Sequence, residues 1–120
     1  MHRIRKEALE FMLGASRSLH PREFIGFLRA EGDLITEIIV PPAALYGHGF
    51  ASHQEYLMPI DSTLIGSVHS HPSANNRPSQ QDINFFAKGK LNLIIARPYQ
   101  TINDIAAYDQ AGKPVEIETA

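Results

Sequence analysis

The residues best suited to chemistry lie in one run: His69-Ser70-His71-Pro72-Ser73-Ala74-Asn75-Asn76-Arg77-Pro78-Ser79-Gln80-Gln81-Asp82. Two imidazoles at i, i+2 and a nearby carboxylate supply three ligands for a divalent metal, zinc being the first choice. Three protein ligands leave a fourth position for water, which is the pattern of a catalytic rather than a structural zinc site. In an extended segment, residues i and i+2 point to the same side, so His69 and His71 can converge on one ion. The chain contains no cysteine, so any metal must be held by nitrogen and oxygen. The plainer alternative is that His-x-His arises by chance and that Ser79-x-x-Asp82 is only a helix cap. Their union through one short loop at the end of an apolar run favours a site. Pro72 and Pro78 stiffen that loop and reduce the entropy lost in ordering it.

A metal that activates water for hydrolysis needs a proton carrier beside it. Glu23, in Pro21-Arg22-Glu23-Phe24-Ile25-Gly26, opens a predicted strand and is the candidate. On residue type alone it competes with a solvated surface carboxylate.

The elements that must position these groups follow from periodicity. Ile4, Ala8, Phe11, Met12, Ala15 and Leu19 recur at helical spacing and predict an amphipathic helix from residue 4 to about 19. His20-Pro21 ends it, because the residue before proline avoids the helical region. Phe24 to Leu28 and Leu34 to Val40, separated by Glu31-Gly32-Asp33, predict a hairpin. The stretch from Pro41 to about Gln54 reads as a loop, and Tyr56-Leu57-Met58 as a short strand. Leu64 to Val68 is a buried strand leading into the histidines. Ser79-Gln80-Gln81-Asp82 has capping-box spacing and opens a helix, with Ile83, Phe85 and Phe86 as its apolar face and Gly89 as its C-terminal cap. Leu91 to Ala96 is a further buried strand. Ile105 to Tyr108 and Val115 to Ile117 form a last pair around Asp109-Gln110-Ala111-Gly112. The sum is about six strands and two helices, a mixed α and β layered fold.

The chain has 120 residues, of which 43% are hydrophobic and 20% charged, which predicts one domain over residues 1–120. A net charge of −2 and no basic stripe exclude a nucleic-acid partner. The basic residues near Met1 precede no apolar segment, so no signal peptide is expected. No run approaches the roughly 20 apolar residues of a membrane span. The expectation is a soluble protein of the cytoplasm, with which the lack of cysteine agrees.

Glu23, His69-Ser70-His71-Pro72, Ser79 and Asp82 together resemble the signature of the JAMM (MPN-plus) zinc metalloproteases, with no position departing from it. Pro21-x-Glu23-x-x-Gly26 is also similar to that family. The resemblance covers nearly the whole chain and is to the short, prokaryotic, archaeal-type single-domain members. It implies an α/β MPN/JAB domain, a cytidine-deaminase-like layered sheet with flanking helices. It implies that His69, His71 and Asp82 bind one Zn²⁺ per chain, and that Glu23 acts as general base and then acid. Ser79 would help stabilise the tetrahedral oxyanion; a hydroxyl can accept one bond and donate another, so it can cap a helix as well.

The implied activity is hydrolysis of the amide after the C-terminal glycine of a ubiquitin-like modifier, a deubiquitinase-like desampylation. The substrate's tail would add as a strand to a sheet edge. The alternatives are processing of a sulfur-carrier protein tail in amino acid or cofactor synthesis, or a non-catalytic MPN scaffold. A zinc deaminase would require a cysteine pair that this chain lacks. Ser70 points away from the ligands and is expected in packing or in support of them. Arg77 could meet a substrate carbonyl or stand solvated. His48 and His53 could flank the groove but read better as surface histidines, and His2 and His20 as structural or solvated.

Overall fold

The computed structural model describes residues 1–41, 61–86 and 89–120. The expectations for the loop from residue 42, for His48 and His53, and for the strand Tyr56-Leu57-Met58 lie outside the described residues. The described elements are β1 (His2–Ile4), α1 (Lys6–Leu19), β2 (Ile25–Glu31), β3 (Leu34–Ile39), β4 (Leu64–Ser70), α2 (Gln80–Phe86), β5 (Leu91–Ile95), β6 (Ile105–Tyr108), β7 (Pro114–Val115) and β8 (Ile117–Thr119), with a 3₁₀ turn at Ile102–Asp104. The fold is a mixed α and β one, and the described strands form a single sheet.

That sheet has the order β7-β6-β5-β4-β2-β3-β1-β8. Its two edge strands, β7 and β8, are separated in the chain by Glu116 alone. One residue spans only about 3.5 Å, so the sheet must curl until its edges nearly meet. α1 packs against the curled sheet: its Ala8, Leu9, Met12 and Leu13 join Ile4 of β1 and Phe24, Leu28, Ile35, Val68, Leu91, Leu93 and Ile95 in the main apolar cluster. Alternation along β4 then decides where the site lies. Val68 faces this cluster, whereas Ser67 turns to the opposite face and donates to Asn92 of β5 at 2.8 Å. His69, two residues beyond Ser67, shares that opposite face.

The hairpin of β2 and β3 is antiparallel, with Gly32 in the left-handed conformation at its turn (φ 61°). β2 also pairs antiparallel with β4, Ile25 opposite His69, so the start of β2 lies beside the end of β4. β4 and β5 are parallel, and α2 lies in the crossover between them. At Gly66 the crossing is so close that a Cβ would stand 1.6 Å from the Leu91 carbonyl oxygen.

Several boundaries differ from the sequence expectations. α1 starts at Lys6, and Ile4 belongs instead to β1, fully buried and paired with Ile35 and Thr119. A three-residue strand is too short to show a period of its own, and its apolar side chain fits helical spacing equally well. At the other end α1 stops as expected: His20 has ψ 133° before Pro21. The described residues hold eight strands rather than about six. Val115 and Ile117 fall on different strands, since β7 pairs with β6 while β8 crosses to run parallel to β1. Gly89, expected as the C-terminal cap of α2, stands three positions after Phe86, the last residue of that helix. A Cβ there would stand 2.6 Å from the Gly66 Cα, so the chain needs glycine for close approach to β4.

Candidate metal centre

β4 extends through His69 and Ser70, so His69 is held by the sheet itself, wholly buried. His71 follows one residue past the strand with its peptide N–H donating to the Ile95 carbonyl at 2.9 Å. The i, i+2 relation therefore operates on a fixed backbone, and the two rings lie 5.1 Å apart between centroids. Asp82 enters from the first turn of α2 and is 3% exposed. Its Oδ2 accepts from the Ser79 peptide N–H at 2.8 Å, while its own N–H donates to Ser79 Oγ at 3.1 Å. The capping box expected from the spacing is thus formed, with aspartate in the place of glutamate.

The three side chains converge tip to tip. His69 Nε2 lies 3.1 Å from Asp82 Oδ1, His71 Nε2 3.2 Å from Asp82 Oδ2, and the two Nε2 atoms 3.3 Å from each other. Tetrahedral ligands about 2.0 Å from a common ion stand about 3.3 Å apart, so the spacing fits a small divalent metal. The chemistry of the donors fits as well. His71 Nδ1 stands 2.8 Å from the Asn75 carbonyl oxygen, which can only accept, so Nδ1 carries a hydrogen and the neutral ring presents its lone pair at Nε2.

Burial alone would raise the Asp82 carboxyl, but hydrogen bonds from His69 and His71 and from the Ser79 N–H outweigh it and hold Asp82 far below the usual carboxylate range. Burial would lower His71, yet its bonds to Asp82 and the Asn75 carbonyl hold it above its ordinary value.

Glu23 stands two residues before β2, half-buried, with a carboxylate oxygen, His69 and His71 presenting ligand atoms all within 4.8 Å of one another. Glu23, His69 and His71 are thus a second triplet able to hold a metal ion. Ser70 holds this arm in place: its Oγ accepts from the Phe24 N–H at 2.8 Å and its own N–H donates to the Phe24 carbonyl at 2.9 Å. Ser79 is exposed at the head of α2. Because its oxygen accepts from the Asp82 N–H, its hydroxyl proton can be donated elsewhere. Arg77 is exposed, with its N–H bound to the Asn75 side chain at 2.8 Å.

Sequence reasoning missed the groups that act through the backbone. The Asn75 carbonyl orienting His71 is one, since any residue there supplies the same oxygen. Tyr99 is another, its hydroxyl donating to the His71 carbonyl at 2.7 Å from 28 residues away. No spacing rule reaches that far.

Comparison with known proteins agrees with this geometry. The family of prokaryotic homologs of the JAB domain matches residues 5–110. A protein of Haloferax volcanii named a probable metalloprotease is 34% identical over 96% of this chain and 77% of its own length. Among solved structures, a JAB1/MPN domain protein from Archaeoglobus fulgidus is 31% identical, with a TM-score of 0.77 over all of this chain and 97% of that one. A second, described as a JAMM metalloprotease-like zinc site of the proteasome and signalosome, is 31% identical with a TM-score of 0.78, over all of this chain and 98% of that one.

Proposed function

This chain belongs to the prokaryotic JAB (JAMM/MPN) family of metalloprotease-like proteins, and from that premise we propose that it is a zinc-dependent isopeptidase or peptidase. Its substrate is the amide after the C-terminal glycine of a ubiquitin-like modifier, and its single domain spans residues 1–120. The observation that carries this reading is the convergence of His69, His71 and Asp82 within 3.3 Å, with Glu23 beside them.

Asp82 rather than Glu23 is assigned as the third ligand of one Zn²⁺ per chain. Both its oxygens already reach the two imidazoles and it is buried, whereas Glu23 is only half-buried, as a group exchanging protons must be. Zinc held there would acidify its water towards about pH 7 and polarise the substrate carbonyl. Glu23 takes the proton of the attacking water and delivers it to the leaving amine nitrogen. The Ser79 hydroxyl, fixed as an acceptor at the Asp82 N–H, donates towards the oxyanion as it forms. Three ligands and a proton carrier in register would be idle in a non-catalytic scaffold. Work in the cytoplasm suits a cysteine-free chain.

The test is metal analysis paired with cleavage of a ubiquitin-like fusion and a lysine isopeptide conjugate. The purified protein is expected to hold one zinc, and His71→Ala to lose it. Glu23→Gln should keep the zinc and lose cleavage by about 10²- to 10⁴-fold. A wild type without zinc, or full activity in Glu23→Gln, would refute the assignment. Cleavage of the fusion but not the conjugate would place the same chemistry in tail processing of a sulfur carrier.

A further inference from the structure

Tyr99 is 3% exposed and has φ 58°, a left-handed conformation that a bulky side chain keeps only when its surroundings over-determine it. Those surroundings are visible. Its peptide N–H donates to the Ala96 carbonyl at 3.0 Å, its carbonyl accepts from the Arg17 guanidinium at the end of α1, and its ring lies in the main apolar cluster. None of this requires a hydroxyl; phenylalanine would pack the same ring. The hydroxyl instead makes two bonds of its own. It donates to the His71 carbonyl at 2.7 Å and lies 3.0 Å from His20 Nδ1. A phenol has one hydrogen, and a carbonyl can only accept, so that hydrogen goes to His71 and His20 Nδ1 must be the donor to the Tyr99 oxygen.

The two partners belong to the two arms of the site. His20 ends α1 and leads through Pro21 and Arg22 to Glu23, while His71 is a ligand. We propose that Tyr99 is a positioning residue of the metal centre, its hydroxyl tying the arm that carries Glu23 to the backbone of His71. With the Tyr99 hydroxyl on its carbonyl, Ile95 on its N–H and Asn75 on Nδ1, His71 is fixed at three points and only Nε2 is left for an ion. Arg17 and the left-handed backbone serve to aim that hydroxyl.

This inference rests on the metal reading above, and its test separates the two. Metal-free protein is titrated with Zn²⁺ against a chromogenic chelator, and its melting is recorded without metal. Outer partners of metal ligands are worth about 10- to 100-fold in affinity, so Tyr99→Phe should bind zinc about ten-fold more weakly than wild type. Tyr108→Phe is the control, because its hydroxyl also donates to a carbonyl of the same loop, that of Asn76 at 2.8 Å, but not to a ligand. It should bind zinc as the wild type does, even where both variants melt lower. His20→Ala, at an exposed position, should weaken zinc in the same direction by about ten-fold at most, and it decides the matter if Tyr99→Phe does not fold, wild-type affinity there overturning the proposal. Wild-type affinity in Tyr99→Phe, or an equal loss in Tyr108→Phe, overturns the proposal. A wild type that binds no zinc overturns the metal reading itself.

Discussion

Asp82 carries two duties on one carboxylate: it closes the head of α2 through the Ser79 N–H, and it meets both imidazoles. The duties can be separated, because capping needs an acceptor oxygen while the ion needs the charge. Asp82→Asn keeps an oxygen for the Ser79 N–H and removes the negative charge. We expect it still to fold without metal yet to bind zinc more than about 100-fold more weakly, beyond the loss typical of outer partners. Equal zinc affinity would assign Asp82 to capping alone. The double role also explains how far the residue was legible. Ser79-x-x-Asp82 announces a cap and His69-x-His71 a possible ligand pair, and both inferences rest on short-range spacing that the folded chain preserves. Tyr99 and the Asn75 carbonyl support His71 through contacts that spacing does not encode, the first across 28 residues and the second through a backbone atom.

Among the elements, β4 does most to set the site, since it carries His69 and Ser70 and borders both β2 and β5. Its place is fixed by the close crossing at Gly66, where a Cβ would meet the Leu91 backbone and not a yielding side chain. Gly66→Ala therefore has to push β5 away or slide the pairing. Overpacking costs about 1–3 kcal/mol, and a backbone obstacle belongs at or above the upper end. Denaturant unfolding should show that loss, and because His69 pairs with Ile94 on the same ladder, zinc affinity should fall with it. A stable variant with intact zinc binding would mean that the strands part more easily than the geometry allows. The long buried strands and the hairpin were readable because their apolar runs and turn residues repeat over enough positions to show a pattern. β1, β7 and β8, of two or three residues each, carry no pattern and exist through their partners: β1 lies between β3 and β8.

At the scale of the whole molecule, the curled sheet encloses the α1 core and presents the site on its other face, so stability and the proposed metal binding are coupled through the same strands. The coupling has a predictable sign with pH. In the metal-free protein Asp82 is held below its ordinary 3.8, so its contribution to stability is present above that value and is lost only as pH falls through the folded pKa. His71 is held above its ordinary 6.5, so its contribution is full below 6.5 and is lost as pH rises through the folded pKa. The metal-free protein therefore gains most from this contact between about pH 4 and 6.5. Zinc needs the lone pair that the His71 proton occupies, so it competes poorly in that window and well above it. A ligand at 100 times its dissociation constant adds about 2.7 kcal/mol, roughly 10 °C of Tm in a domain of this size. Thermal melts with and without zinc should show that full increment at pH 8 and a clearly smaller one at pH 5.5. His71→Ala should abolish the difference between the two conditions. An increment equal at both pH values, or larger in acid, would show that zinc does not displace a proton from His71 and that the ligand set is drawn elsewhere.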